Sequence, residues 1–138
     1  MNLTIYTDGG SLNNPGQAAY AFLVYADKKL IHKQNEVIGI ASNNVAEYTA
    51  LIRALEYISA QVKSEKLKVK SLQIYSDSQL MVNQVNGIYK VKNKDIKPLH
   101  SKVKLLDAEL GVPIKYTHVL REKNKEADVL VKEALGRT

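Results

Sequence analysis

A four-residue pattern, Ile-Tyr-Thr/Ser-Asp, occurs twice in this chain, at residues 5–8 and again at residues 74–77. Each copy closes a short run of alternating β-forming residues, which predicts a strand that ends in an aspartate. If the two strands are parallel neighbours, Asp8 and Asp77 end side by side with their backbones roughly 5 Å apart. Two carboxylates at that distance repel each other, so one of them is protonated unless a cation lies between them.

The order of the predicted elements indicates an α/β fold with a mixed sheet. Three consecutive strands with short connections form an antiparallel meander, and the later strands are reached through helices. Strands are predicted at residues 3–8, 18–26, 30–40, 71–76 and 114–120. Helices are predicted at about residues 45–62, 78–86, 97–110 and 125–135. Ser42, Asn43 and Asn44 are the candidate N-caps of the first helix, and Asp77 is the N-cap of the second. At 138 residues the chain has room for one core, so we predict a single domain over residues 1–138 with the order βββαβααβα.

The composition narrows the classes of function. The chain has 20 Lys and Arg residues, 14 Asp and Glu residues and no Cys, which gives a net charge of +6. The absence of Cys excludes a disulfide framework, a thiol nucleophile and a Cys-ligated metal site, and it suits a reducing, cytoplasmic location. The positive charge favours an anionic partner, nucleic acid before membrane. No apolar run reaches the length that spans a bilayer, and no signal peptide precedes the first strand, so we expect no membrane association.

Two further carboxylates lie near helix starts. Glu47 precedes Leu51 by four residues and therefore points with the apolar stripe of its helix, where an unpaired carboxylate is costly. A capping box from Asn44 to Glu47 is an alternative explanation. For Asp128 taken alone, the better explanation is an ordinary first-turn acid that the helix dipole favours.

The first two acids also have ordinary explanations, since Asp8 could start a Gly-Gly turn and Asp77 could simply cap a helix. Taken together, however, the four acids could converge at one end of one sheet. Clustered carboxylates without Cys or a nearby His suit Mg²⁺, or Mn²⁺, rather than zinc. Two such ions about 4 Å apart would activate a water and stabilise the leaving oxygen in phosphodiester cleavage.

Four segments in the same order and spacing resemble the type 1 ribonuclease H family. They are residues 6–16 (YTDGGSLNNPG), 43–51 (NNVAEYTAL), 75–80 (YSDSQL) and 118–128 (HVLREKNKEAD). The resemblance implies a five-stranded mixed sheet with helices on both faces. It also implies hydrolysis of the RNA strand of RNA–DNA hybrids to 3′-hydroxyl and 5′-phosphate ends. The family's catalytic residues, which hold two Mg²⁺ ions, would be Asp8, Glu47, Asp77 and Asp128.

The resemblance further implies substrate contacts. Side-chain amides both donate and accept, so they can address the 2′-hydroxyl that distinguishes RNA from DNA. Ser42 with Asn44 resembles the family's pocket for a phosphate of the DNA strand. Capping, turn formation and plain surface polarity are the alternative roles for these positions. The expected contact residues are Gly9, Gly10, Asn14, Ser42, Asn43, Asn44, Gln79, Tyr89, Lys92 and Asn124.

Two departures from the family pattern are visible. Many members carry a His in a mobile loop before the last Asp, whereas residues 120–125 here contain none, and Arg121 or Glu122 is the candidate substitute. Some members insert a basic protrusion after the second helix. Here only four lysines and Tyr89 remain, either as a reduced handle for the DNA strand or as a solvated loop. These lysines are Lys90, Lys92, Lys94 and Lys97.

Two other classes of function share parts of this pattern. Integrases, transposases and junction resolvases also use acidic clusters, but the Asn-Asn-Val-Ala-Glu and Ser-Asp-Ser-Gln motifs argue against them. A non-catalytic module that only binds nucleic acid is disfavoured because repelling carboxylates are hard to retain without a metal. We therefore expect a monomeric nuclease that acts on RNA–DNA hybrids and needs no protein partner.

Overall fold

The computed structural model describes residues 1–137 and contains one five-stranded sheet in the order β3-β2-β1-β4-β5. The first three strands form an antiparallel meander, and the last two pair in parallel with β1 and with each other. The predicted mixed sheet is thereby confirmed. The strands are β1 (Asn2–Ser11), β2 (Gly16–Ala26), β3 (Lys29–Ala41), β4 (Ser71–Ser76) and β5 (Ile114–His118).

Helices cover both faces of the sheet. Because side chains alternate along β2, Tyr20 and Phe22 join the larger core on the α1 side, whereas Ala19 and Ala21 pack against Val131 of α4. Small alanines on this second face leave room for α4 to lie close to the sheet. The helices are α1 (Asn43–Lys63), α2 (Gln79–Val85), α3 (Lys97–Leu110) and α4 (Lys125–Ala134), preceded by a 3₁₀ turn at Arg121–Lys123.

The bounds of β1 and β5 differ from those predicted. Strand β1 continues to Ser11 because Gly10 and Ser11 still pair with β2, so Asp8 does not start a Gly-Gly turn. Strand β5 stops at His118, before the chain enters the 3₁₀ turn. The predicted start of a turn at residue 9 was therefore wrong, because antiparallel pairing with β2 satisfies the backbone through both glycines.

The cap of α1 is one of the three candidates, whereas the cap of α2 differs from the one predicted. Ser42 caps α1 by accepting a hydrogen bond from the N–H of Val45, so the capping box from Asn44 to Glu47 does not form. Ser78, not Asp77, caps α2 by accepting from the N–H of Met81. A serine hydroxyl at each junction satisfies an otherwise free backbone donor. Both carboxylates are consequently left without a capping role.

Glycine at position 9 allows α1 to lie directly against the end of β1. A Cβ atom built there would lie 2.3 Å from the carbonyl carbon and oxygen of Ala46. No larger residue fits without moving the helix, because real contacts of this kind are about 3.4 Å or longer. This close approach brings the N-terminal part of α1, with Glu47 as its fifth residue, against Gly9 of β1.

No helix within residues 1–137 is both long enough and apolar enough to cross a lipid bilayer.

Candidate active site

Three carboxylates meet where the parallel pairing of β1 with β4 ends. Asp8 lies in β1 and Asp77 follows β4, and the parallel register that pairs Thr7 with Ser76 brings the two aspartates side by side, as predicted. Glu47, the fifth residue of α1, reaches the same point. Each of the three offers a carboxylate oxygen within 4.8 Å of the others. The site thus joins residues that are up to 69 positions apart in the chain.

The cluster is removed from water, and this changes its protonation. The pKa of Asp8 is raised from its ordinary value of 3.8 to about 8, first by burial and then by repulsion from Asp77 and Asp128. Burial also raises the pKa of Glu47 well above its usual range, followed by repulsion from Asp8 and Asp77. The backbone N–H of Gly9 lowers both pKa values, but by less. Without a cation the cluster therefore retains protons at neutral pH.

The donor atoms fit a hard divalent cation. Glu47 Oε1 and Asp77 Oδ2 are buried and have no hydrogen-bond partner among the described residues. Buried carboxylate oxygens without a partner are costly, and a cation removes that cost. Because all three donors are carboxylates, they match Mg²⁺ or Mn²⁺ rather than a metal that prefers nitrogen or sulfur.

Asp128 and Arg121 flank this cluster from the segment that follows β5. Asp128 is not one of the three acids within mutual ligand distance, and its Oδ2 lies 3.0 Å from Lys132 Nζ. It is near enough to raise the pKa of Asp8. The guanidinium of Arg121 approaches Asp77, with Nε 3.6 Å from Oδ2, while its side chain is 77% exposed.

The sequence interpretation missed Lys132 as a partner of Asp128. Its signal was available, since an acid followed four residues later by a lysine pairs on one face of a helix. His118 pairs with Ser76 at the end of β5, in the strand to which it was assigned.

Several predicted substrate contacts surround the start of α1. Asn43 Oδ1 accepts the N–H of Ser11 at 2.9 Å, and the N–H of Asn43 donates to Asn14 Oδ1 at 3.0 Å. These bonds tie the loop between β1 and β2 to the helix start that Ser42 caps. Asn43 and Asn44 are exposed, so these residues can hold the loop and also contact a ligand.

The remaining predicted contacts lie in different surroundings. Gln79 is exposed at the start of α2, two residues after Asp77. Asn124 is buried at 2% exposure, and its Nδ2 donates to Thr7 O at 2.9 Å, so this amide holds the start of α4 against β1. Gly9 and Gly10 lie in β1, and a Cβ on Gly10 would meet Val131 at an ordinary 3.6 Å.

Tyr89 and Lys92 are exposed in the connection between α2 and α3. Tyr89 is one wall of a shallow cleft of about 480 Å³ that Lys90, Lys97 and Lys104 also line. Lys92 does not line this cleft. The structure therefore brings Tyr89 together with two of the four predicted lysines.

Comparison by sequence relates the chain to a known family. The sequence model described as RNase H matches residues 1–136. A bifunctional protein of Mycobacterium tuberculosis is 36% identical over 137 residues, which cover 98% of this chain and 36% of that protein. Ribonuclease HI of Halobacterium salinarum is 35% identical over 132 residues, which cover 94% of this chain and 62% of that enzyme. The chain thus spans about a third of the length of its mycobacterial relative.

Comparison by structure agrees with the sequence. The crystal structure of LC11-RNase H1, isolated from compost, in complex with an RNA/DNA hybrid has a TM-score of 0.90 and 39% identity, and the match covers 98% of this chain and 97% of that one. RNase H1 of Halobacterium salinarum has a TM-score of 0.87 and 32% identity, with both chains covered at 100%. The fold, the motif order and these relatives agree, and the chain belongs to the ribonuclease H family, type 1.

Proposed function

We propose that this chain is an endoribonuclease that hydrolyses the RNA strand of RNA–DNA hybrids and leaves 3′-hydroxyl and 5′-phosphate ends. The observation that carries the proposal is the buried group of Asp8, Glu47 and Asp77, whose oxygens lie within 4.8 Å of one another. The similarity to LC11-RNase H1, which was crystallised with an RNA/DNA hybrid, supports this class of substrate.

In the proposed mechanism the acidic residues hold two Mg²⁺ ions, with Mn²⁺ as a substitute. Asp8, Glu47 and Asp77 supply the buried oxygens, and Asp128 adds a carboxylate from α4. When bound, the ions activate the attacking water and stabilise the leaving oxygen of the RNA strand. The chain contributes the placement of its carboxylates, and Asp8 and Glu47 must release their protons before they can serve as ligands. Metal affinity should therefore rise with pH across the neutral range.

Recognition of the RNA strand is assigned to amide side chains around the acids. Asn43 and Asn44 lie at the start of α1, Gln79 lies at the start of α2, and Asn14 accepts a hydrogen bond from Asn43. An RNA strand bound over the carboxylates would pass these positions. An amide can donate to and accept from a 2′-hydroxyl, which DNA lacks. Ser42, Asn44 and the first amides of α1 are proposed to bind a phosphate of the DNA strand, since a helix N-terminus attracts anions.

A second basic region is proposed to hold the DNA strand. Tyr89 and Lys90 lie beside Lys97 at the cleft between α2 and α3, and Lys92 and Lys94 extend the charge along the same connection. Lysines neutralise phosphates without reading sequence, and a tyrosine packs on sugar or base. Each phosphate contact that is lost should make the slope of log affinity against log salt concentration less steep by about one.

Cleavage of labelled duplexes tests the proposal. The purified chain is incubated with an RNA–DNA hybrid, double-stranded DNA and double-stranded RNA, with Mg²⁺ and with EDTA, and the product ends are mapped. We expect cleavage of the hybrid RNA strand only, dependent on Mg²⁺, lost in Asp8→Asn and retained in Asp95→Asn, which changes an exposed aspartate outside the cluster.

The alternative classes give different results in the same assay. Tight hybrid binding without cleavage would indicate a binding module. Cleavage or joining of DNA strands would indicate a transposase-like or resolvase-like enzyme. Either result in a folded protein with Mg²⁺ present would reject the proposed activity.

A further inference from the structure

A second cleft lies on the α4 side of the sheet, outside the carboxylate cluster. It has a volume of about 610 Å³ and opens between the first turn of α4 and strands β1, β2 and β4. That volume falls within the range of about 300–1,000 Å³ that is typical of small-molecule sites. None of the four acids of the proposed active site lines it.

Three tyrosines from adjacent strands line this cleft. Tyr6 of β1 stacks on Tyr75 of β4, with ring centroids 5.1 Å apart and planes inclined by 25°. Tyr25 of β2 meets Tyr6 edge to face, at 5.9 Å and 83°. All three rings are partly exposed rather than sealed into a core. Aromatic rings presented on neighbouring strands of a sheet are a recurrent platform on which nucleobases stack.

Charged residues form the rim of the cleft. Lys28 projects from the turn between β2 and β3, and Lys123 and Lys125 come from the segment that begins α4; all three are exposed. Glu122 and Glu126 also line the cleft, so the rim carries three positive charges and two negative ones. This small positive excess suits one phosphate group better than a run of several.

Glu126 is engaged with the aromatic lining. It accepts a hydrogen bond from the hydroxyl of Tyr25 at 2.5 Å. Burial, together with this bond, raises the pKa of Tyr25 to about 12, which keeps the phenol protonated as the donor. Glu126 is therefore engaged in a hydrogen bond within the protein. The three lysines of the rim can bind an anion.

We propose that this cleft binds a nucleobase with an attached phosphate, the base stacked on the tyrosines and the phosphate held by the lysines. The proposal goes beyond hybrid cleavage, because it concerns a different part of the molecule and needs neither the acids nor a metal. A free mononucleotide and the end of a single-stranded oligonucleotide share this chemistry.

Binding is measured by titrating the ¹⁵N-labelled protein with adenosine monophosphate and, separately, with a single-stranded pentathymidylate, each in Mg²⁺ and in EDTA. We expect amide shifts at Leu23, Tyr75 and Lys123, of similar size in both buffers. A stronger effect of the mononucleotide would identify a free nucleotide as the occupant, and a stronger effect of the oligonucleotide would identify a strand end.

Matched variants show whether a base stacks on Tyr75 or whether this ring only packs within the protein. Tyr75→Phe keeps the ring and should bind as the wild type does, whereas Tyr75→Leu should lose about tenfold or more in affinity. The double variant Lys28→Gln, Lys123→Gln should weaken binding and its salt dependence without touching the packed rings. Lys66→Gln, at an exposed lysine that follows α1, is the control and should leave binding unchanged.

Three results would overturn the proposal. The first is the absence of shifts in the cleft at millimolar ligand, and the second is shifts confined to the start of α1 around Asn43. The third is equal affinity in Tyr75→Leu and the wild type. Urea unfolding shows whether Tyr75→Leu is folded; if it is not, the lysine double variant decides. Loss of hybrid cleavage in Asp8→Asn leaves this binding unaffected, so the two proposals fail independently.

Discussion

Replacing Asp8 by Asn should stabilise the metal-free protein at neutral pH while it abolishes the proposed activity. Asp8 is 4% exposed and shares its surroundings with Glu47 and Asp77. Its pKa in the folded chain is about 8, against 3.8 as the ordinary value. In the unfolded chain the carboxyl therefore loses its proton at much lower pH than in the folded chain. An asparagine has the same shape and carries no charge at any pH.

The size of the effect follows from proton linkage. Because the folded state holds the proton more tightly, this group stabilises the fold at low pH, and the contribution disappears as pH rises from about 4 to about 8. Within that window the free energy of unfolding falls by about 1.4 kcal/mol for each pH unit. Between pH 5 and pH 7.5 the loss is about 3 kcal/mol. The variant avoids this loss, so its advantage in stability over the wild type should grow by about 3 kcal/mol between pH 5 and pH 7.5.

Urea unfolding in EDTA at pH 5, 6, 7 and 7.5 measures this difference. The stability difference between the two proteins should widen steadily from pH 5 to pH 7.5, while Asp95→Asn, at an exposed aspartate, follows the wild type. Added Mg²⁺ should then stabilise the wild type more than Asp8→Asn, because a ligand that binds only the folded state raises its stability. Parallel curves for the wild type and Asp8→Asn from pH 5 to 7.5 would refute the reasoning.

Three other changes test parts of the site. Gly9→Ala should cost about 3 kcal/mol or more in urea unfolding, because its Cβ would lie 2.3 Å from the backbone of Ala46, whereas Gly10→Ala should cost less than about 1 kcal/mol. Ser42→Ala should cost about 1 kcal/mol in the same assay through loss of the α1 cap. Arg121→Ala should lower the turnover of a hybrid, because the Arg121 guanidinium lies 3.6 Å from Asp77, whereas Glu122→Ala should leave turnover unchanged. Equal rates in both variants and the wild type would show that Arg121 has no part in turnover.

Local pattern was sufficient for the order and type of the elements. Alternation and turn residues predicted all five strands, and helical spacing predicted all four helices. Both periodicities depend only on residues that are close in sequence. Caps were predicted less accurately than elements. Ser42 was one of three candidate caps for α1, but Ser78 caps α2 in place of Asp77, since the choice depends on where the preceding strand ends in space.

The candidate site was foreseen as a set of residues but not as a geometry. The repeated pattern correctly indicated that Asp8 and Asp77 would lie side by side, because it marks the ends of two strands of one sheet. It could not show that Asp128 lies outside the group of three acids and pairs with Lys132. The apolar stripe predicted that Glu47 faces the core, but only the packing of α1 on Gly9 brings it beside Asp8.

Residue types and their spacing thus indicated a basic, cysteine-free chain with a mixed sheet and a nuclease-type set of acids, since these properties depend on composition and short-range order. Only the tertiary structure decided which carboxylates share a site, how far their pKa values rise and that three tyrosines line a second cleft. The physical reason is that desolvation and repulsion depend on distance in space. Those distances are set when strands far apart in the chain pair and helices pack over them.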